Sequence, residues 1–547
     1  MIKSIDKVDI FLSSNNYWKV TSKNKNTVWF KGYLYNMPIT DLVKQIVEQD
    51  SDTIKSFLNT LDGHFSLIVK TPKFYLIAVD KIRSIPIIWA IKNKNNILIS
   101  DQGQYLNKEL KLKSSDIDYS ISNAFAISGY TIGDNTLYSN VKQVSPGNYL
   151  WLENKKVTIK RYYIWQPWSA LEYRVNLSSK LNKINKNIFK KLIDSVNNRQ
   201  IVVPLSGGLD SRLVLAGLKK YNYKNVLCIS YGLKNNKDAY IAKKVADKLG
   251  YKWIFIEYSN KEFRKHYYSE EYKKYTNFCD TFTSIHFIGE YIMLSKLSNN
   301  LVEKDAIFIN GQSGDFISGN HIPSNLDVKK EYSDKQKEKL FSTYLVKHYK
   351  HWNILKNKDN LDKVENLLSE EINKIGGFPS DQNKNYGIYE YMEFMDRQSK
   401  YVVNGQRNYE YFGYEWRLPL WDNEYIDFWE KVPLKYKINQ TLYKDTLIKY
   451  NWGNVWQEIN INPLKISPKW IIPIRFIFKL FFIFHGKNKW HKYENKYLAY
   501  FMSNLVEYAP WSYFQIIFDK RGHENAIGWL IEDYLKYKGL NWKGNKP

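Results

Sequence analysis

Residues 201–211 read Ile-Val-Val-Pro-Leu-Ser-Gly-Gly-Leu-Asp-Ser. The run 201–205 is apolar and β-branched, the pattern of a strand buried on both faces. It breaks at Ser206-Gly207-Gly208, and 210–220 takes up helical spacing. Two adjacent glycines let the backbone turn tightly and approach an anion closely. Free N–H groups and the dipole at the start of a helix favour a phosphate there, and Ser206 and Ser211 add hydroxyl donors. Asp210 would repel a bare phosphate. Its place in the loop makes sense if it holds Mg²⁺, which bridges carboxylate and phosphate oxygens. The spacing is not G-x-x-x-x-G-K-[ST], so γ-phosphate transfer is not the natural inference.

Working outward, further strands are expected at 225–230, 253–256 and 306–309, with a helix over 238–249 and a long one over 176–198 leading in. Strands alternating with helices predict an α/β fold, a parallel sheet with helices on both faces. Upstream, short β-branched and aromatic runs at 27–35, 63–70, 74–79 and 96–100 are separated by turn signals such as Asp62-Gly63 and Pro146-Gly147. With short helices at 41–49 and 115–125, they predict a β-rich α+β domain. Residues 329–384 read as polar and helical without a site, and the stretch beyond 484 is aromatic and basic, with no architecture to assign.

The chain has 547 residues, too many for one core, and three units are expected: 1–170, 171–469 and 470–547. The formal charge is +26, but the lysines are scattered and no zinc spacing or RNA-binding signature accompanies them. A solvated Lys-rich surface is the reading, with no nucleic-acid partner. Two cysteines, Cys228 and Cys279, exclude a disulfide scaffold and a Cys-rich metal site. Met1 to Asp9 is polar, without the apolar core of a signal peptide, so a cytoplasmic protein is expected. Residues 470–484, WIIPIRFIFKLFFIF, are too short to span a bilayer and carry Pro473, Arg475 and Lys479. Two readings stay open, a packed helix or an anchor peripheral to a membrane.

The loop resembles that of the PP-loop pyrophosphatases, and three further segments narrow the likeness to the asparagine-synthetase family. Residues 310–315, N-G-Q-S-G-D, resemble its S-G-E-G-x-D element, and 415–422, E-W-R-L-P-L-W-D, its E-x-R-x-P-F-L-D element. Residues 61–65, L-D-G-H-F, and 80–87, D-K-I-R-S-I-P-I, resemble the L-D-G-x-F and D-R-x-G-x-x-P-L elements of its glutamine-amidotransferase domain, of N-terminal-nucleophile-hydrolase type.

The resemblance implies an ATP-dependent ligase that activates a carboxylate as an acyl-adenylate, releases pyrophosphate and joins the acyl group to nitrogen. ATP and Mg²⁺ are the implied cofactors. Ser206, Gly207, Gly208 and Ser211 would cradle pyrophosphate, Asp210 and Asp315 would hold Mg²⁺, and Leu205, Tyr231 and Gly311 would border adenosine. Lys465 and Lys444 are the two candidates for the family's lysine near pyrophosphate. Gln312 stands where the family has a Glu and cannot take a proton, which leaves amine activation unassigned; Glu410 is the sequence candidate. Phe316 stands where a second acid is expected. In the first domain Met1-Ile2 replaces the cysteine nucleophile, and Lys31-Gly32-Tyr33 replaces the N-G-E element, so glutaminase activity is expected to be lost. The nitrogen would come from ammonia, supplied free or by a separate glutaminase, or from an amine. The carboxylate would be a sugar acid, or a metabolite or peptide that is cyclised. The competing readings are a non-catalytic scaffold that retains the fold, and a sulfur-transferring tRNA enzyme, which neither cysteine is placed to serve.

Overall fold

The computed structural model describes residues 4–13, 17–169, 176–297, 301–326, 334–381, 384–459, 469–502 and 508–540. The first part of the chain is built on strands β1 (Lys7–Phe11), β2 (Lys19–Lys23), β3 (Asn26–Leu34), β4 (Gly63–Lys70), β5 (Phe74–Val79), β6 (Ile88–Lys92), β7 (Asn96–Ser100), β8 (Val141–Gln143), β9 (Asn148–Glu153) and β10 (Lys156–Arg161). They form a six-stranded sheet, β10-β9-β5-β4-β3-β2, and a four-stranded sheet, β1-β7-β6-β8. Every pairing is antiparallel except β1 with β7.

The two-residue period of β4 decides which way each side chain faces. Phe65, Leu67 and Val69 pack with Leu42, Ile46 and Leu58 of the helices Ile39–Ile46 and Ile54–Thr60. Ile68 faces the other way, into a core shared with Trp89, Ile97 and Ile99 of the second sheet. The fold is thus two sheets face to face, with helices on an outer surface.

Five further strands, β11 (Ile201–Pro204), β12 (Val226–Gly232), β13 (Lys252–Glu257), β14 (Ile307–Ile309) and β15 (Glu415–Arg417), make a wholly parallel sheet. Its order is β13-β12-β11-β14-β15. The chain runs outward from β11 to β13, then returns to the other side of β11 for β14 and β15. The switch point lies between β11 and β14, where open α/β sheets form their crevice beyond the carboxyl ends of the strands. The expected α/β class with a preceding β-rich α+β part is what the chain adopts. Sequence reading had no strand at 415–417, because three residues of Glu, Trp and Arg carry no strand period.

Several contacts tie the two halves. Tyr33 on β3 accepts a hydrogen bond from the Leu418 N–H at 3.1 Å, and its ring lies 4.0 Å from the Arg417 guanidinium carbon. Arg83, fully buried, donates to the Ser399 carbonyl and to Thr283. The two amidotransferase-like motifs meet through Asp80, whose carboxylate accepts from the N–H groups of Phe65 and Ile82, each at 2.8 Å.

The C-terminal region folds back on the rest. The helix Ala526–Tyr537 packs on the helix Tyr119–Ser128, with the Tyr534 and Phe125 rings stacked at 5.2 Å, and Lys538 pairs with buried Asp280. The segment read as either packed or interfacial forms a helix, Ile471–Phe482, that pairs with the helix Lys487–Tyr497. Ile471 is its one buried residue.

Candidate active site

A cleft of about 420 Å³ opens at the carboxyl ends of β11, β12 and β14. Leu205, Ser206, Asp210, Ser211, Tyr231, Gly311, Gln312 and Asp315 all line it. Residues from two loops more than 100 positions apart in sequence therefore share one wall. Glycine makes that approach feasible at two points. A Cβ on Gly311 would sit 2.6 Å from the Ser211 nitrogen, and one on Gly314 would sit 2.6 Å from the Asp210 carboxylate.

The first loop is held from within and from behind. The Ser206 and Ser211 hydroxyls bond each other at 3.0 Å, and the Gly208 N–H donates to the Ser206 hydroxyl at 3.2 Å. The Gly207 N–H donates to Asp238 at 2.9 Å. Behind the loop, the buried Arg212 guanidinium donates to the carbonyls of Gly207, Val455 and Ile459. The helix Asp210–Lys220 begins at the loop and turns its positive end toward the cleft.

The second loop reaches Asp210 directly. The Asp315 N–H donates to Asp210 at 2.7 Å, and the Tyr443 hydroxyl donates to the other carboxylate oxygen at 2.9 Å. Burial, and then the nearby Asp315 charge, push the Asp210 carboxyl up to about 8. Asp315 moves the other way. Burial opposes its charge, but the hydrogen bond from His321 at 3.1 Å, the His321 and Arg397 charges and the Phe316 N–H together outweigh that and hold its pKa down. His321 also pairs with buried Glu393, which receives His348 at 3.2 Å and Arg397 at 3.1 Å. The His321 imidazole loses hydration on burial, yet these carboxylates keep it charged, with its pKa pushed up to about 9.

Two carboxylates forced together, with Asp210 resisting its charge, are a donor set that suits a hard divalent cation. Mg²⁺ is held by one or two carboxylates and completes its shell with phosphate oxygens and water. Among the described residues no group of three or more His, Cys, Asp or Glu could hold a metal by itself. The pair fits a cation that arrives with a polyphosphate.

The remaining sequence candidates fall elsewhere. Lys465 lies outside the described residues. Lys444 does not line the cleft: its ammonium donates to the Asn439 carbonyl at 2.8 Å. The adjacent Tyr443 is the residue of that helix that reaches Asp210, because one step along a helix turns the side chain by about 100°. Glu410 also lies outside the cleft. It is buried and pairs with Lys31 at 2.8 Å, and its other oxygen accepts from the Trp416 indole at 3.1 Å. Gln312 does face the cleft, where its side-chain oxygen accepts from Gln406 at 2.9 Å. Phe316 is buried against the rings of Trp165, His321 and Trp421.

Sequence reading missed Glu290, Arg397 and His321. Arg397 lies on a π-helical stretch, Phe394–Val402, whose wide turn presents Arg397, Gln398, Tyr401 and Val402 to the cleft. Glu290 is buried on the cleft wall, and burial pushes its carboxyl up to about 7 against a hydrogen bond with Tyr409. None of these sits in a motif, and no periodicity marks them.

The Lys31–Glu410 pair joins β3 to the helix Arg407–Tyr411. The hollow beside it, lined by Tyr17, Gly32, Tyr33 and Arg417, measures only about 70 Å³. Ligand pockets run from about 300 Å³ upward. Lys31→Met removes the nearer cation of a buried carboxylate and leaves Glu410 with only the Arg407 guanidinium, at 3.5 Å. It is expected to lower unfolding free energy by about 3 kcal/mol, read from urea denaturation. Nucleotide binding by the folded variant should not change, because the cleft lies elsewhere.

Family models match both parts of the chain. An asparagine synthase family model matches residues 188–449, and a glutamine amidotransferase domain model matches residues 41–163. The microcin J25-processing protein McjC of Escherichia coli is 24% identical over 228 residues, a match that covers 40% of this chain and 40% of that protein. Among solved structures, the NH3-dependent NAD synthetase of Campylobacter jejuni is 15% identical and covers 38% of this chain and 99% of that one, at a TM-score of 0.21. The glutamine phosphoribosylpyrophosphate amidotransferase of B. subtilis is 9% identical and covers 53% and 62%, at a TM-score of 0.18. The chain thus pairs a glutamine amidotransferase domain match with an asparagine synthase domain match, and in both parts it resembles the asparagine-synthetase family.

Proposed function

We propose that the protein is an ATP-dependent amide ligase that works through an acyl-adenylate. The observation that carries this reading is the junction of the Ser206–Ser211 loop with Asp315 across Asp210, at the switch point of a parallel sheet. In this reading residues 171–469 carry the ATP chemistry. Residues 1–170 keep an amidotransferase fold without glutaminase activity, and 470–547 form an extension. Mg²⁺, held by Asp210 and Asp315, would supply charge neutralisation on the polyphosphate when bound.

The roles of the chain's own groups follow from their positions. The Ser206 and Ser211 hydroxyls and the positive end of the helix beginning at Asp210 favour negative charge growing on departing pyrophosphate. Leu205, Tyr231 and Gly311 border the space for adenosine. Arg397 and His321 bring positive charge to the far wall, where an anionic acyl substrate would enter. Glu290 supplies what Gln312 cannot, a cleft carboxylate able to accept the amine proton as the amide forms. The amine would be ammonia from solution, ammonia from a separate glutaminase, or a nitrogen on the substrate itself. A sugar acid to be amidated, or a metabolite or peptide to be cyclised, fits the carboxylate role.

The test is product analysis with ATP, Mg²⁺, ammonium and a panel of carboxylates. The reading expects AMP and pyrophosphate in equal amounts with the amide. ADP and inorganic phosphate would indicate an acyl phosphate and refute the adenylate. Failure to bind ATP at all would favour a scaffold that retains the fold.

A further inference from the structure

The helix Ile471–Phe482 presents two apolar faces, and only one of them is used. Ile471, Phe478 and Phe482 turn inward onto Trp490, Leu498 and Tyr497 of the neighbouring helix region. Arg475 is fixed on the same side, paired with Glu494 and stacked over Trp490. Positions 472, 476, 480 and 484 follow one another at four-residue spacing, with 477 and 481 alongside, so they form one stripe on the opposite side. Every residue of that stripe is large, apolar and in water. Phe476 is 63% exposed, Phe481 71% and Phe484 87%, with Ile472, Ile477 and Leu480 close to half exposed. Soluble surfaces carry single exposed apolar side chains freely, but a contiguous patch marks a surface that meets something.

The charge around the stripe says what it meets. Between Lys469 and Met502 the sequence holds six lysines and Arg475 against one carboxylate, Glu494. That carboxylate is buried and already paired with Arg475. Lys487, Lys489, Lys492 and Lys496 on the adjoining helix are all exposed. An apolar stripe carried by a helix pair this rich in cations complements an anionic lipid surface, with apolar groups entering the acyl boundary and lysines reaching the headgroups. A second copy of the chain is a poor occupant, since a symmetric contact would bring together two segments of the same positive charge. The helix has 12 residues, and about 20 are needed to span. No helix among the described residues is long and apolar enough to cross a membrane. Such a helix lies in the interface plane.

We infer that the helix Ile471–Phe482 with its continuation to Phe484 is a monotopic membrane anchor selective for anionic lipid. This inference stands apart from the proposed ligase reaction and does not depend on it.

The test is flotation of the full chain with vesicles of phosphatidylcholine alone or mixed with phosphatidylglycerol. The wild type is compared with a Phe476→Ser/Phe481→Ser/Phe484→Ser variant and a Lys487→Gln/Lys489→Gln/Lys492→Gln variant. These side chains lie outside the core, so the folded state is kept, and circular dichroism and melting check it. The expected result is binding to the mixed vesicles that falls about tenfold or more in the Phe variant. Binding should also weaken in the Lys variant and in high salt. Absence of binding to mixed vesicles, or equal binding by the Phe variant, overturns the inference. So does a wild-type dimer in sedimentation velocity that the Phe variant abolishes without any vesicle binding, because the stripe would then be a contact between copies.

Discussion

Asp210→Asn should reduce carboxylate-dependent exchange of pyrophosphate into ATP by about 10³-fold or more, with the protein still folded. The substitution is nearly isosteric. It retains one oxygen to accept from Tyr443 or from the Asp315 N–H, each of which now bonds its own carboxylate oxygen. What it removes is the negative charge nearest the loop. In water-excluded sites such charges act with far more effect than at a surface. The folded state, by contrast, loses little. Burial and the repulsion from Asp315 already oppose the Asp210 charge, so a neutral side chain relieves a cost. The variant should melt no lower than the wild type at pH 9, where the native carboxylate is ionised. Loss of exchange with an unchanged or raised melting temperature separates loss of the phosphate site from loss of the fold. Exchange that survives in Asp210→Asn would mean that the loop does not hold the reacting polyphosphate through this carboxylate.

Glu290→Gln should leave pyrophosphate exchange within a fewfold of wild type and slow amide formation by about 10²- to 10⁴-fold, the usual worth of a positioned proton acceptor. The split between the two half-reactions is the diagnostic. A merely structural role would depress both. Stability supplies a second readout with a definite sign. The folded-state pKa of Glu290 is near 7, above the ordinary 4.5. The folded protein therefore holds this proton more tightly than the unfolded chain. The associated stability is complete below pH 4.5 and is lost as the pH rises through 7. The loss amounts to about 3 kcal/mol at most. Glutamine stays neutral throughout. The variant should match the wild type near pH 4.5 and exceed it near pH 8, measured by urea denaturation. Equal pH profiles in the two proteins would refute the burial of an ionisable Glu290 in this cleft.

The contrast between these two residues shows what the sequence can and cannot say. Asp210 sits in a stretch where strand period, paired glycines and helix onset fall within eleven residues, so local physics makes it legible. Asp315 is legible only because its own glycine-flanked loop stands beside a second buried strand. Glu290 has no such setting. It precedes a helix of six residues, Tyr291–Lys296, and its importance arises because that turn faces Asn310 and Tyr231 across the cleft. His321 and Arg397 likewise become cleft residues only through Glu393, which lies 72 positions beyond His321 and is drawn to it by burial and charge. Lys444 shows the opposite error. Its spacing suits a motif, but a rotation of one residue on a helix puts Tyr443 in the site instead.

The fold followed the same rule. The runs at 63–70 and 74–79 are strands with those bounds, because their alternation records one face against helices and one against a second sheet. Short strands such as β8 and β15 have three residues each, too few to show a period. The stretch 329–384 read as helical without a site, and it does hold the helices Asp334–His348 and Lys358–Asn373. Lys347, His348 and Lys350 from it line a second hollow of about 260 Å³ that shares His321, Arg397 and Tyr401 with the cleft. Polar composition hid this, since a lysine facing a cavity and one facing bulk water look alike in a sequence.

The most direct test of acyl-adenylate formation follows the carboxylate oxygen. A carboxylate that supports pyrophosphate exchange is prepared with heavy oxygen in both positions, turned over once with ATP, Mg²⁺ and the amine, and the AMP is weighed by mass spectrometry. Attack of the carboxylate on the α-phosphorus, followed by expulsion of AMP by the amine, leaves one heavy oxygen in AMP and one in the amide. That is the predicted result. AMP without label, with the heavy oxygen found instead in inorganic phosphate or pyrophosphate, would contradict the account.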